Sequence, residues 1–278
     1  MTLSRSDADA LSAAIETVAA RLRTATRVVA LTGAGVSAAS GIPTFRGSNG
    51  LWKTFRAETL ATPEAFANDP KLVWEWYDWR RSLIAQAQPN KAHEVLARWT
   101  RVDVRPPAPG PLPPAPGPPP PAFTLITQNV DGLHERADAD DVVRLHGSIW
   151  HVRCWRGCRA GRADWLETTV PLPQLPPACP HCGGVARPGV VWFGESLDPS
   201  VIARATEAAA SADVFLTIGT SSVVYPAAGF AHQAKRQGAF TVEINTETTA
   251  VSADVDVSIL APAADVLTRL DEAIAARG

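Results

Sequence analysis

Residues 28–47 read VVALTGAGVSAASGIPTFRG, a short apolar run that breaks at once into Gly-Ala-Gly. A strand ending in such a turn brings backbone N–H groups against a phosphate, which makes a nucleotide the first ligand to consider. Gly33, Gly35 and Ala38 meet the dinucleotide fingerprint G-x-G-x-x-G/A, although glycine-rich strand ends also serve as plain tight turns without a ligand. An ordinary dehydrogenase carries a second strand about 20 residues later, ending in Asp or Glu to hold the ribose. Here residues 48–63 read SNGLWKTFRAETLATP, which is no strand. The pattern predicts a nucleotide site in which a long loop with Pro43, Phe45 and Arg46 replaces the first crossover.

Around that stretch, 27–32, 123–127, 142–145, 214–218, 240–244 and 255–260 read as strands. Most are apolar without alternation, as for strands covered on both faces, and helical stretches such as 200–211 and 227–237 lie between several of them. The fold class expected is α/β, a doubly wound Rossmann-like parallel sheet with a smaller zinc-binding module and a helical insertion. Its parts are a nucleotide-binding domain (1–50, 123–150 and 190–278), the insertion (51–105), a proline-rich linker (106–122) and the module (151–189). Eleven of the 24 prolines fall in 106–121, a tract that forms neither helix nor sheet and reads as a solvated spacer.

The chain has 278 residues and a formal charge of −2, which gives no net electrostatic drive toward nucleic acid or anionic lipid. Leu11, Ile15, Val18 and Leu22 recur at helical spacing near the start, without the apolar core and cleavage site of a signal peptide. No run approaches the ~18 apolar residues of a membrane span. The expected setting is cytoplasmic, with no membrane and no nucleic-acid partner.

All the cysteines fall in two pairs, Cys154-x3-Cys158 and Cys179-x2-Cys182. Four thiolates so spaced close a tetrahedral zinc site, and zinc supplies folding energy to a module poor in apolar residues. Two disulfides suit a reducing cytosol poorly, and His181 is a weaker alternative ligand. With four protein ligands the metal is structural. Other polar groups sit where strands end: TQNVDG at 127–132, His146 in LHGS, GTSS at 219–222 and NTE at 245–247. Carboxyl ends of parallel strands are where ligands bind in open α/β sheets, yet Asn and Asp also make turns there and hydroxyls also cap helices. A lone histidine is usually structural, but an imidazole at such an end is suited to take a proton from a ribose hydroxyl. PGVVWFGE at 188–195 reads either as a core strand or as an edge that pairs with a peptide.

Taken together and in order, GAGVSAASGIPTFRG, TQNVDGLH, LHGS, the cysteine pairs, VVWFGE, GTSS and NTE resemble the sirtuins, the NAD-dependent protein lysine deacylases, over about 28–260. FRGSNGLW, LATPEAFA and VWEWYDWRR are similar to the class III members, which remove succinyl, malonyl and glutaryl groups. The resemblance implies NAD as co-substrate, one structural zinc on Cys154, Cys158, Cys179 and Cys182, and acylated protein lysines as partners. It implies NAD contacts at Gly33, Ala34, Gly35, Ser37, Ala38, Thr44, Phe45, Arg46, Trp52, Gln128, Asn129, Val130 and Asp131, and at Gly219, Thr220, Ser221, Asn245, Thr246, Glu247 and Ala263. His146 and Asn129 are the implied catalytic residues, Val191, Trp192 and Phe193 the peptide-binding segment, and Ala61, Tyr77 and Arg80 the acyl pocket. Tyr77 and Arg80 stand three apart on an expected helix and so share a face, offering a hydroxyl and a fixed cation to a carboxylate. In the implied reaction the acyl oxygen attacks the ribose as nicotinamide departs, His146 removes a ribose proton, and water releases lysine and O-acyl-ADP-ribose. An acetyl-preferring sirtuin, an ADP-ribosyltransferase and an inert zinc-bearing interaction scaffold are the competing readings.

Overall fold

A computed structural model describes residues 5–43, 51–52, 55–101, 122–159 and 164–276. The chain opens with α1 (Arg5–Thr24), whose Ile15, Val18, Ala19 and Leu22 are buried, and enters β1 (Arg27–Thr32), buried at all but its first residue. After a 3-10 turn (Ala34–Ser40) come two two-residue strands, β2 (Leu51–Trp52) and β3 (Phe55–Arg56), paired antiparallel. Helices α2 (Ala57–Leu60), α3 (Pro63–Asn68), α4 (Pro70–Gln86) and α5 (Lys91–Thr100) follow. Thr62 Oγ1 and Asp69 Oδ1 cap α3 and α4, each with proline in the first turn, where the missing N–H is no loss.

Then come β4 (Ala122–Thr127), α6 (Leu133–Arg136), β5 (Val143–Arg144), β6 (Gly147–Cys154), β7 (Trp165–Leu166) and β8 (Ala186–Val190). The last part runs through α7 (Pro199–Ser211), β9 (Val214–Ile218), α8 (Ala228–Arg236), β10 (Phe240–Asn245), β11 (Val257–Leu260) and α9 (Ala263–Ala275). Six strands form one sheet in the order β11-β10-β9-β1-β4-β5, with every pairing parallel. Counted along the chain within that sheet, the order is 3-2-1-4-5-6, which reverses direction between β1 and β9.

Side-chain alternation divides the packing. Val28 and Ala30 face a core shared with α1, α5 and α9, while Val29 and Leu31 face one shared with α7 and α8. Helices on both faces make the sheet doubly wound, as its apolar strands predict. A third core joins α2, α3 and α4 to the antiparallel sheet β7-β6-β8 through Trp74, Trp76, Ile149, Val152, Ala186 and Trp192. The helices described within 51–105, expected as one helical insertion, therefore divide between two cores, because Ala92, Val95, Leu96 and Trp99 of α5 face α1 and α9. The small sheet also starts earlier than 151, since β6 runs unbroken from Gly147. Among the described residues no helix is long and apolar enough to cross a membrane. The tract 106–121 lies outside the described residues.

Candidate functional site

The sheet's reversal point opens a crevice, and the glycine stretch forms its floor. Gly33 and Gly35 donate their N–H groups to Ile218 O and Gly219 O, at 3.0 and 2.7 Å. Those donors are consumed by the neighbouring loop, so the reason for glycine here differs from the expected phosphate contact. A Cβ on Gly35 would stand 2.8 Å from Gly219 Cα, and one on Gly33 2.6 Å from Thr220 Cβ. Only glycine permits the two loops to close on each other and leave a cradle at the strand ends. Beside it, Thr220 Oγ1 accepts from Gln128 Nε2 at 2.8 Å and Thr220 O from Asn245 Nδ2 at 2.9 Å, tying three strand ends together.

One cavity of about 1100 Å³ runs along these ends. Gly33, Ala34, Gly35, Ala38, Gln128, Asn129, Val130, Gly219, Thr220, Ser221, Asn245, Thr246, Glu247 and Ala263 line it, as do His146, Ala61, Tyr77, Arg80, Val191, Trp192 and Phe193. Ser37 and Asp131 lie just beneath and are buried. Thr44, Phe45, Arg46 and the side chain of Trp52 lie outside the described residues.

A buried hydrogen-bond chain supports the floor. Asn129 Nδ2 donates to Gly33 O and Ser37 Oγ, at 3.1 and 3.2 Å, and Ser37 Oγ donates to Asp131 Oδ2 at 2.8 Å. His93, which the sequence reading does not single out, closes the chain: its Nδ1 accepts from Asn90 N, so its Nε2–H faces Ser37 Oγ at 3.3 Å. His134, within TQNVDGLH, lies against it with ring centroids 4.9 Å apart and meets Thr32 Oγ1 at 2.9 Å. Burial pushes both imidazoles down from 6.5, His93 to about 4 and His134 to about 3, so both are neutral at pH 7. His93 carries no sequence signal beyond its place three residues after the helix-capping Asn90.

His146 lines the same cavity. A carbonyl only accepts, so the 2.9 Å contact with Gln128 O puts the hydrogen on Nδ1 and leaves the Nε2 lone pair unprotonated. Burial lowers this histidine's pKa, against the raising effect of that hydrogen bond. Val191 N donates to His146 O and Phe193 N to Ala61 O, each at 2.9 Å, fastening the 191–193 segment beside the imidazole. Strand β8 ends at Val190, so the segment is a loop continuing a strand, neither wholly core nor free edge. Tyr77 and Arg80 enter from α4; burial raises the Tyr77 phenol to about 12 and draws the Arg80 guanidinium below the usual arginine range.

Away from the crevice, the four cysteine Sγ atoms lie within 4.8 Å of one another. Cys154–Cys182 is 3.7 Å and Cys158–Cys179 3.8 Å, too long for disulfides and close to the ~3.8 Å between sulfurs of a tetrahedron with ~2.3 Å Zn–S bonds. A hydrogen bond from the Cys158 backbone is the main reason Cys154 falls from 9.0 to about 6, which favours the ligating thiolate. The set fits a structural zinc with no open coordination position. His181 stands outside this cluster of four cysteines.

A family model described as "Sir2 family" matches residues 33–105 and 120–226. An NAD-dependent protein deacylase of Aquifex aeolicus is 52% identical over 230 residues, covering 83% of this chain and 87% of that protein. NAD-dependent protein deacylase 2 of Pyrobaculum aerophilum is 45% identical over 260 residues, 94% of this chain and 96% of that one. The crystal structure of a Sir2 homolog–NAD complex superposes with a TM-score of 0.82 at 42% identity, covering 94% of both chains.

Proposed function

The chain belongs to the Sir2 family, and from that premise we propose that it removes acidic acyl groups, succinyl, malonyl or glutaryl, from protein lysines in preference to acetyl. Its activity is that of an NAD-dependent protein deacylase. The acyl preference rests on one observation: Tyr77 and Arg80 line the same cavity as His146 and Asn129. Arg80 brings a fixed cation and Tyr77 a hydroxyl to one wall of that cavity, a pair that suits the carboxylate of an acidic acyl group.

Gly33, Gly35 and Gly219 let the two loops close on each other where a Cβ would collide with the facing backbone, and the cavity this leaves along the strand ends supports NAD lying there. Ala34, Ala38, Gln128, Asn129, Val130, Thr220, Ser221, Asn245, Thr246, Glu247 and Ala263 are the other lining residues that would hold it, with Ser37 and Asp131 beneath them. When bound, NAD would supply an electrophilic ribose carbon for the acyl oxygen, with nicotinamide as the leaving group. His146 Nε2 takes the ribose hydroxyl proton, its ring held by Gln128 O. Asn129 orients the nicotinamide ribose from the Ser37–Asp131 chain. The Val191 and Phe193 carbonyls pair with the peptide, the N–H groups of 191–193 being held by His146 O, Glu195 Oε2 and Ala61 O, and Ala61 leaves room for the acyl chain. Thr44, Phe45, Arg46 and Trp52 complete the NAD contacts in this reading. A site that needs four thiolates suits a reducing, cytoplasmic setting.

Peptides carrying succinyl-, glutaryl- or acetyl-lysine, incubated with and without NAD and weighed by mass spectrometry, test this. Loss of the acyl mass should need NAD and be fastest for the acidic groups. Arg80→Met should lower the succinyl-to-acetyl ratio of kcat/KM roughly ten- to hundredfold. Equal loss of both activities overturns the acidic preference, and gain of ADP-ribose mass on the peptide points to the transferase reading instead.

A further inference from the structure

Trp192 joins the peptide segment to the acyl pocket, and three contacts hold it. Its backbone N–H donates to Glu195 Oε2 at 2.8 Å, Arg187 lies 3.5 Å from a ring centroid, and Nε1–H donates to Tyr77 Oη at 2.9 Å. Arg187 is itself pinned, by Glu195 Oε1 at 2.5 Å, Glu195 Oε2 at 2.9 Å and Val190 O at 3.0 Å. Trp192 and Tyr77 are each 2% exposed, so neither side chain has room to leave this arrangement.

An indole N–H is a donor only, so the Tyr77 oxygen must be the acceptor in that bond. The phenol's own hydrogen is then directed to some other acceptor, and Tyr77 lines the cavity together with Arg80. Burial keeps Tyr77 a phenol throughout the physiological range, so the hydrogen stays available. We propose that Trp192 is a positioning residue for acyl selection: its indole N–H holds the Tyr77 oxygen so that the Tyr77 O–H is presented to the carboxylate of an acidic acyl-lysine, with the Arg187–Glu195 pair bracing the indole. The inference rests on the acidic-acyl reading above. A tryptophan that merely filled the core would affect every acyl group alike when replaced, whereas a tryptophan acting through Tyr77 affects acyl groups according to their charge.

The test compares wild type, Trp192→Phe, Tyr77→Phe and the double variant on succinyl- and acetyl-lysine forms of one peptide at saturating NAD. Tyr77→Phe removes only the hydroxyl, while Trp192→Phe keeps an aromatic ring but removes the donor together with part of the indole's volume, a packing loss that the acetyl-lysine rate registers equally. The succinyl-to-acetyl ratio of kcat/KM is expected to fall about tenfold in each single variant, and no further in the double variant. Two results overturn the inference alone: a wild-type preference that Trp192→Phe leaves intact, or a Trp192→Phe effect that is just as large when Phe already stands at 77. Equal use of both peptides by the wild type overturns the acidic-acyl reading, and the inference falls with it.

Discussion

At His146 one hydrogen bond decides which nitrogen can act. With Nδ1–H committed to Gln128 O, Nε2 is the only basic position, and burial holds the pKa below the usual 6.5. A general base works when neutral, so kcat/KM should rise with pH through a value under 6.5 and level off above it. His146→Ala should lower turnover by about a hundredfold or more and abolish that rising limb; a limb centred above 6.5 in wild type would contradict the assignment. The buried pair His93 and His134 makes a separate prediction about stability. Their folded pKa values, about 4 and about 3, lie below the 6.5 of the unfolded chain. Between those values the unfolded chain binds protons that the folded chain refuses, so stability is complete above 6.5 and falls as pH drops toward 4. The slope is up to about 1.4 kcal/mol per pH unit for each histidine. Urea midpoints at pH 7 and pH 5 should therefore separate less in His134→Gln than in wild type.

Among the elements, the turn after β1 carries the tightest constraint. Gly35 and Gly219 meet backbone to backbone, and an added methyl has nowhere to go. Gly35→Ala should destabilise the protein by about 1–3 kcal/mol in urea denaturation, as overpacking does, and raise the KM for NAD, because the cradle floor must shift. Unchanged values of both would show that the loops separate easily. Helix α4 illustrates how far an element is readable from its own residues. The shared face of Tyr77 and Arg80 follows from a spacing of three, but the partner that aims Tyr77 is Trp192, 115 residues away, and no local pattern connects them. The Ser37–Asp131 and His93–Ser37 contacts, 94 and 56 residues apart, are hidden for the same reason.

For the whole molecule, the consequential feature is that α4 shares its core with the cysteine-bearing sheet and not with the parallel sheet. Trp74 Nε1 donates to Ala186 O at 2.7 Å, and the fully buried Arg81 to Glu167 O at 2.6 Å and Thr169 O at 3.0 Å, locking helix to module. Stripping the metal with a strong chelator should release the module and loosen the acyl pocket with it, while the two cores of the parallel sheet stay folded. The expected outcome is loss of deacylation with a surviving cooperative thermal transition that ADP-ribose still raises. Loss of that ligand effect in step with the activity would show that the cores are not independent.

What the chain's own order of residues determined was local: strands, because unbroken apolar runs suit doubly covered positions; the sharp turn, because glycine alone fits it; the metal set, because four thiols in two close pairs need little folding to meet. The tertiary structure decided which core α5 joins, where the small sheet begins, that the Gly33 and Gly35 N–H groups serve the neighbouring loop, and which side chain holds Tyr77. These are contacts between segments far apart in the chain. Their energies come from packing and burial, which the folded arrangement creates and no short window of residues contains.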